Sequence, residues 1–188
     1  MKVKIIIQAR EGSIRFPNKW KADINGEYSI DHVIRACKKS THYNNNIVFV
    51  IPKQDKELTQ YIKSKNIPVI HDKDRNVYQG FIDCGGDVQV RVTGDSPCIS
   101  EHQIDMNIQM ILQGYEYASN EVTKFGNSCE SFTWNALNKY PPEQSGDAEH
   151  VTLALRRNSK NRWLPSLMLD YEENLETISK YLTAVVAQ

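Results

Sequence analysis

The stretch Val3-Lys4-Ile5-Ile6-Ile7 decides the fold, because it is short, apolar and rich in β-branched side chains. Such a run predicts a strand that is buried on both faces of a sheet. Ile47–Ile51, which ends at Pro52, and Ile67–Ile70 repeat this pattern, and Val88–Val92 alternates as a further strand. Four segments of this kind in the first half of the chain predict a sheet.

Helical patterns alternate with these strands. Apolar residues recur at helical spacing from Ile30 to Cys37, around Leu58, and from Ile104 to Leu112, the last behind an N-terminal Ser100. Strands that alternate with helices are joined by crossover connections, which make the sheet mostly parallel. We therefore expect an α/β fold, a three-layer domain built around a mostly parallel sheet.

The pattern is less regular in the last third of the chain. Cys129–Trp134 and Ser166–Leu169 favour strands, and Asp147–Arg157 favours a helix. Leu175–Val186 has the spacing of a C-terminal amphipathic helix. No internal repeat, low-complexity tract or linker interrupts the sequence, so we expect residues 1–188 to form a single domain.

Composition excludes several classes of protein. Of 188 residues 40% are hydrophobic, and 23 basic residues balance 23 acidic ones to a formal net charge of zero. No global basic field exists to hold nucleic acid or an anionic membrane, so we expect neither partner. Ile5-Ile6-Ile7, the longest aliphatic run near the start, is far too short for a membrane span. Four widely spaced cysteines without a C-x-x-C pair favour reduced thiols in the cytoplasm.

The loop Ala9–Lys19 follows the first predicted strand and is a candidate anion site. It holds three cations, Arg10, Arg15 and Lys19, and the pair Gly12-Ser13. Ligands of open α/β sheets bind at the carboxyl ends of the strands, and guanidinium and ammonium groups neutralise phosphate oxygens there. A solvated loop whose cations only confer solubility has the same charge pattern. The motifs of P-loop and Rossmann dinucleotide sites are absent from the sequence.

Two aspartates are candidate metal ligands. Asp95 lies in Arg91–Pro97, where a strand runs into a turn, and a carboxylate there suits Mg²⁺ bound to substrate phosphates. The alternative is a turn aspartate that accepts from backbone N–H groups. Asp170 follows the last predicted strand, where it is either a second ligand or a helix N-cap with Glu173 at the capping-box position.

The segment Gly146–Thr152 contains Glu149-His150, a histidine with an acidic neighbour. Such a pair can contact an acceptor or act as a base. A histidine at the start of a helix is more often a surface or capping residue.

These segments together resemble the SpsF-like (spore-coat polysaccharide biosynthesis) cytidylyltransferases, relatives of the CMP-Kdo and CMP-sialate synthetases. Ile6–Lys19 is similar to their opening I-I-Q-A-R-x-G-S-x-R-x-P-x-K, and Arg91–Pro97 to R-x-T-G-D-S-P. Ser119-Asn120 matches S-N, Glu149–Thr152 matches E-H-V-T, and Asp170–Leu175 is similar to D-x-x-x-D-L. The motifs occur in the family's order along nearly the whole chain.

The resemblance implies a nucleotidyltransferase of the glycosyltransferase-A-like fold. It implies CMP transfer from CTP to an acidic sugar or similar acceptor, with Mg²⁺ and with release of pyrophosphate, for surface-polysaccharide or glycan biosynthesis, and a possible homodimer. The implied nucleotide-binding residues are Gln8, Ala9, Arg10, Gly12, Ser13, Arg15, Lys19 and Thr93. The implied catalytic residues are Arg10, Lys19 and Asp95, the metal ligands Asp95 and Asp170, and the acceptor-binding residues Asn120, Glu149 and His150.

The sequence also departs from the family pattern. Glu11 stands where the family usually has Met, Asn18 where it has Gly, Ala148 where it has Arg, and Asn174 where it has Asp. A degenerate protein that binds the nucleotide without transferring it is therefore the alternative function. A glycosyltransferase that uses a sugar nucleotide is a third reading, although Gly94-Asp95-Ser96 lacks the D-x-D motif that such enzymes normally carry.

Overall fold

The computed structural model describes residues 1–72, 76–120 and 129–163. Its strands are β1 (Val3–Gln8), β2 (Asp23–Ile24), β3 (Glu27–Tyr28), β4 (Ile47–Pro52), β5 (Val69–Asp72), β6 (Val88–Thr93), β7 (Tyr117–Ser119), β8 (Cys129–Thr133) and β9 (Arg162–Trp163). Its helices are α1 (Ser29–Lys39), α2 (Lys56–Ser64), α3 (Val77–Cys84), α4 (Glu101–Leu112), α5 (Trp134–Lys139), α6 (Asp147–His150) and α7 (Leu153–Asn158), and Lys19–Lys21 forms a 3₁₀ turn.

Seven of these strands form one sheet in the order β5-β4-β1-β6-β8-β7-β9. β8 is antiparallel to both of its neighbours, whereas the other six strands run in one direction. The predicted mostly parallel sheet is confirmed. β2 and β3 make a separate hairpin, in which Asn25 and Gly26 take the positive φ values of 55° and 86° that a tight two-residue turn requires.

Helices cover both faces of the sheet. Ile5 and Ile7 belong to a core cluster with residues of α1, α2 and α4, whereas Ile6 belongs to a second cluster with residues of α3, α5 and α7. All three isoleucines are fully buried, as expected for a strand between two helical layers. The three-layer prediction from Val3–Ile7 is thus confirmed.

Several predicted elements have different limits in the structure. β5 begins at Val69, because Pro68 has no N–H to donate to the sheet. Trp134 is the first residue of α5 and not the end of a strand, since the Thr133 hydroxyl accepts from Ala136 N at 3.0 Å and caps that helix. Leu112 is 41% exposed, so it does not lie on the buried face of α4.

The helix predicted for Asp147–Arg157 is wrong as a single element. It consists of α6 and α7, which are separated at Val151, where φ is 55°. A right-handed helix cannot continue through that conformation. The predicted elements Ser166–Leu169 and Leu175–Val186 lie outside the described residues. Among the helices that the structure describes, none has the length and apolarity to cross a membrane.

Candidate active site

A cleft of about 270 Å³ opens at the carboxyl ends of β1, β4, β5 and β6. It lies at the edge of the sheet where ligands of open α/β folds bind. The predicted site residues among its lining are Gln8, Ala9, Arg10, Gly12, Lys19, Thr93, Asp95, Glu149 and His150. The lining also includes residues that the motifs did not indicate, namely Trp20, Pro52, Gln54, Asp55, Asp72 and Val77. Segments that are far apart in sequence therefore meet in one cleft.

The loop Ala9–Lys19, called the first loop from here on, is anchored to the N-terminus of α2 through Glu11. The backbone N–H of Glu11 donates to Asp55 Oδ2, and the Glu11 carboxylate accepts from Leu58 N, both at 2.7 Å. Leu58 is the third residue of α2, so Glu11 satisfies one of the unpaired N–H groups of that helix. The negative charge of Glu11 is therefore directed at a helix end and partly neutralised there.

Asn18 closes the same loop in the left-handed backbone region, with φ at 54°. Its N–H donates to the Glu11 carbonyl at 3.0 Å. Asparagine tolerates this conformation better than most residues other than glycine. The departure from the family's glycine at this position therefore preserves the turn that leads into Lys19.

The tip of the first loop projects into solvent. Ile14 is fully exposed, Phe16 is 57% exposed, and Arg15 is exposed as well. The hydroxyl of Ser13 accepts from Phe16 N at 3.4 Å. Neither Ser13 nor Arg15 is part of the cleft lining. Their assignment to the nucleotide remains a prediction.

Lys19 and Asp95 form an ion pair at the mouth of the cleft, between the first loop and the turn after β6. Partial burial of Asp95 raises the pKa of its carboxyl, but the Lys19 ammonium and the Thr93 hydroxyl outweigh that effect and hold the pKa below its ordinary value. The Asp95 side chain is 41% exposed, so one side of this carboxylate stays accessible to a ligand. Asp95 is therefore ionised and available at neutral pH.

Gly94 lets the Asp95 turn pass close over the first loop. A Cβ atom at this position would lie 2.7 Å from Ala9 Cβ and 2.9 Å from Ile30 Cδ1. The Gly94 N–H donates to the Gln8 carbonyl at 2.8 Å, which continues the pairing of β1 with β6. The glycine thus allows the close approach that brings Asp95 to Lys19.

The side chain of Gln8 is fully engaged within the protein. Its Oε1 accepts from Arg91 Nε at 2.9 Å, and its Nε2 donates to the Glu149 carbonyl at 3.2 Å. The predicted nucleotide residue Gln8 therefore connects the strand ends to the Glu149 segment in this structure. Arg91 in turn pairs with Glu130, which is 8% exposed.

Glu130 is connected to the cleft through Arg91 and Gln8, and the sequence analysis did not identify it. Burial raises the pKa of its carboxyl, but Arg91 and the hydroxyls of Tyr117 and Thr152 outweigh it and hold the pKa below its ordinary value. The hydroxyls donate from 2.6 Å (Tyr117) and 2.8 Å (Thr152). A glutamate inside the apolar strand pattern of Cys129–Trp134 was the available signal, because a buried charge requires partners.

Glu149 and His150 line the same cleft as Lys19. The Glu149 carboxylate pairs with Arg10 Nη1 at 2.8 Å, and His150 is exposed beside it. Asp147 anchors this segment, since its carboxylate accepts two hydrogen bonds from Arg157 at 2.6 and 3.0 Å. The Arg157 guanidinium holds the pKa of Asp147 well below its usual range.

Besides Ser13 and Arg15, two further predicted site residues are not assigned to the cleft by the described residues. Asn120 is buried and its Oδ1 accepts from Cys129 N at 2.8 Å, so that its amide links β7 to β8. Asp170 lies outside the described residues. The acceptor role of Asn120 and the metal role of Asp170 therefore stay predictions.

The donor set of the cleft fits a hard divalent cation. The described residues contain no cluster of three His, Cys, Asp or Glu side chains that would form a complete protein cage. Mg²⁺ does not need one, because it binds through one or two carboxylates together with substrate phosphates and water. Asp95 is ionised and partly exposed, which meets this requirement.

Comparison with known protein families places the chain among the nucleotidyltransferases. The model of the cytidylyltransferase family matches residues 4–181, and the chain belongs to that family. It is 31% identical over 166 residues to the uncharacterized protein MJ1063 of Methanocaldococcus jannaschii, covering 84% of this chain and 68% of that protein.

Solved structures show the same fold. A cytidylyltransferase from Leptospira borgpetersenii is 24% identical with a TM-score of 0.76, over 97% of this chain and 87% of that one. The structure of CMP:2-keto-3-deoxy-manno-octonic acid synthetase complexed with CTP is 15% identical with a TM-score of 0.66, over 97% and 99%. Rv0371C of Mycobacterium tuberculosis, in complex with manganese, is 7% identical with a TM-score of 0.65, over 96% and 99%.

Proposed function

We propose that this protein transfers CMP from CTP to an acidic sugar or a similar acceptor and releases pyrophosphate, in the biosynthesis of a surface polysaccharide or glycan. The observation that carries the proposal is the meeting of Arg10, Gly12, Lys19 and Asp95 at one cleft, which Glu149 and His150 also line. The first four residues suit a triphosphate and its metal, and the last two suit an acceptor.

The first loop provides the phosphate side of the reaction. In the transfer, an acceptor hydroxyl oxygen bonds to the α-phosphorus of CTP while the bond to the β-phosphate oxygen breaks, and the hydroxyl proton passes to a base. Lys19 and Arg10 lie where they can neutralise the charge that develops on the phosphate oxygens. Arg15, Ser13 and Gly12, on the same loop, complete the proposed contacts.

Asp95 is the proposed protein ligand of Mg²⁺, with Asp170 as a second ligand. When bound, the metal would neutralise phosphate charge and help to orient the α-phosphate. Lys19 already pairs with Asp95, so CTP phosphates and the carboxylate compete for one ammonium group. Rv0371C, which shares the fold, was solved as a manganese complex, and this supports the proposal of a divalent cation for this protein.

Glu149, His150 and Asn120 form the proposed acceptor side. His150 is exposed at the cleft and can accept the proton of an acceptor hydroxyl. The synthetase that was solved with CTP is named for 2-keto-3-deoxy-manno-octonic acid, an acidic sugar, which supports this acceptor class. We further propose one nucleotidyltransferase domain over residues 1–188, a cytoplasmic location and a possible homodimer.

Pyrophosphate release from CTP tests the proposal. The purified protein is incubated with CTP, Mg²⁺ and each of a panel of acidic sugars, including 2-keto-3-deoxy-manno-octonic acid, and products are identified by mass spectrometry. We expect pyrophosphate and a CMP-sugar only when an acceptor and Mg²⁺ are both present. Asp95→Asn should abolish this release, because it removes the ionised ligand.

The controls separate the alternatives. CTP binding by calorimetry without pyrophosphate release from any acceptor would favour the degenerate nucleotide-binding protein. Equal turnover of UTP, GTP and CTP would contradict the cytidine preference. Release of pyrophosphate from Asp95→Asn at the wild-type rate would remove Asp95 from the mechanism.

A further inference from the structure

A closed ring of hydrogen bonds runs from the lining of the cleft to buried Glu130 and Thr152. The Glu130 carboxylate pairs through Oε2 with Arg91 Nη1, and Arg91 Nε donates to Gln8 Oε1 at 2.9 Å. The Gln8 amide donates to the carbonyl of Glu149 at 3.2 Å. The backbone then runs from Glu149 to Thr152, whose Oγ1 donates back to Glu130 Oε1 at 2.8 Å.

The ring encloses a strained turn. Val151 has φ 55° and ψ −55°, and the N–H of Thr152 donates to the His150 carbonyl at 2.5 Å, which closes a γ-turn. This conformation is rare and strained, especially for a β-branched residue. Val151 is 1% exposed and packs in the core cluster that contains Leu155. The turn therefore persists because its surroundings hold it.

The turn at Val151 sets the position of Glu149 and His150, the proposed acceptor-binding residues, in the cleft. Val151 points into the core, while Glu149 and His150, immediately before it, line the cleft. Bonds on both sides hold this arrangement, one from Gln8 to Glu149 and one from Thr152 to Glu130. Both bonds depend on the same carboxylate, because Glu130 also fixes the guanidinium of Arg91 that orients Gln8.

We infer that Glu130 is a positioning residue of the transfer reaction. It holds Glu149 and His150 at a set distance from the first loop, which binds the nucleotide in the proposed function. The inference rests on the proposed function. Glu130 does not line the cleft itself, so it acts through Thr152 and through Arg91 with Gln8. Misplacement of a reacting group by about 1 Å can cost on the order of 100-fold in rate. Loss of the ring should therefore lower kcat and spare the affinity for CTP.

A matched pair of substitutions tests the inference. Thr152→Val removes the hydroxyl that closes the ring, and Tyr117→Phe removes a different hydroxyl that donates to the same Oε1 atom from outside the ring, at 2.6 Å. Both leave Glu130 one donor short in the core. We expect kcat to fall on the order of 10- to 100-fold in Thr152→Val and to change less than about twofold in Tyr117→Phe. Thr152→Ser keeps the hydroxyl and should restore kcat.

Two further readouts separate positioning from stability. CTP affinity by calorimetry should be unchanged in Thr152→Val, because the first loop is held independently by Asp55 and α2. Amide hydrogen exchange of residues 147–152 should accelerate in Thr152→Val and not in Tyr117→Phe. If both variants lose kcat equally, or if exchange in 147–152 is the same in both, Glu130 is a structural residue only and the inference is overturned.

The exchange measurement also distinguishes failure of the inference from failure of the proposed function. It requires no turnover and reports directly whether the Glu130 ring holds the Glu149–Thr152 turn. An inactive wild-type protein would contradict the proposed transfer. Unchanged exchange in Thr152→Val would contradict positioning by Glu130, whatever the activity.

Discussion

At the scale of single residues, Lys19 and Arg15 have the same charge and lie in the same motif, but their surroundings in the structure differ. Both are cations of the first loop, but Lys19 lines the cleft and pairs with Asp95, whereas Arg15 projects from the exposed tip. Charge-assisted hydrogen bonds to phosphate are stronger than neutral ones, so each such contact contributes to the affinity for CTP. The contribution of Arg15 requires movement of the loop toward the ligand.

We expect Lys19→Ala to weaken CTP binding by about 1–3 kcal/mol, because it removes a charge-assisted contact from the cleft. Arg15→Ala should weaken it within the same range only if the tip closes over the nucleotide. Isothermal calorimetry on both variants measures this, with Lys39→Ala, an exposed cation on α1, as the control. Unchanged CTP affinity in Lys19→Ala and Arg15→Ala would remove the proposed phosphate site.

At the scale of elements, α2 and the first loop stabilise each other. The N-cap residue of α2, Asp55, accepts from Glu11 N, while Glu11 accepts from Leu58 N in the first turn of the helix. The arrangement resembles a capping box in which one partner comes from a distant loop. Glu11, a departure from the family pattern, therefore has a structural role here.

Glu11→Met, which restores the residue that is usual in the family, should lower the free energy of unfolding by about 0.5–2 kcal/mol, as the loss of a cap does. CTP affinity should change little, because the Glu11 carboxylate accepts from α2. Urea unfolding and calorimetry measure the two effects. Glu57→Met removes an exposed carboxylate in the first turn of the same helix and should cost less than about 1 kcal/mol. A large gain of CTP affinity in Glu11→Met would show that the carboxylate faces the phosphates.

At the scale of the whole molecule, the buried Arg91–Glu130 pair joins β6 to β8. It thereby connects the strands β5-β4-β1-β6 to the strands β8-β7-β9 of the same sheet. The pair is in register, since Arg91 lies opposite Glu130 in the antiparallel ladder. Their side chains are 15% and 11% exposed. Breaking such a pair is costly because it leaves one charge buried without a partner.

The pH dependence of stability should report this pair. The pKa of Glu130 in the folded protein lies below its ordinary value, so the unfolded state binds more protons in acid. The stabilisation is therefore complete above the unfolded pKa, about 4.3 for glutamate, and is lost as the pH falls through the folded pKa. Urea unfolding from pH 7 to pH 3 should show that the difference in the free energy of unfolding between wild type and Glu130→Gln becomes smaller on acidification. A difference that stays constant over this pH range would contradict the ionised pair.

The fold and the location of the site were predictable because they depend on local patterns. Short β-branched runs such as Val3–Ile7 report burial on both faces, and intervening helical spacing requires parallel crossovers. Parallel strands end at one edge of the sheet, so the loops after β1 and β6 had to meet there. Arg10, Lys19 and Asp95 were placed at these strand ends by the sequence pattern, their catalytic roles were implied by the family resemblance, and the structure brings the three residues together.

Only the tertiary structure decided which partner each polar group binds. Gln8 reaches Glu149 across 141 positions, and Arg91 meets Glu130 because of the register between β6 and β8. Sequence periodicity reports the burial of a residue, whereas a hydrogen bond depends on register, on side-chain direction and on turns such as the one at Val151. A register shift of one residue would place Glu130 on the other face of the sheet, so its role follows from the strand pairing and not from its own neighbours in the chain.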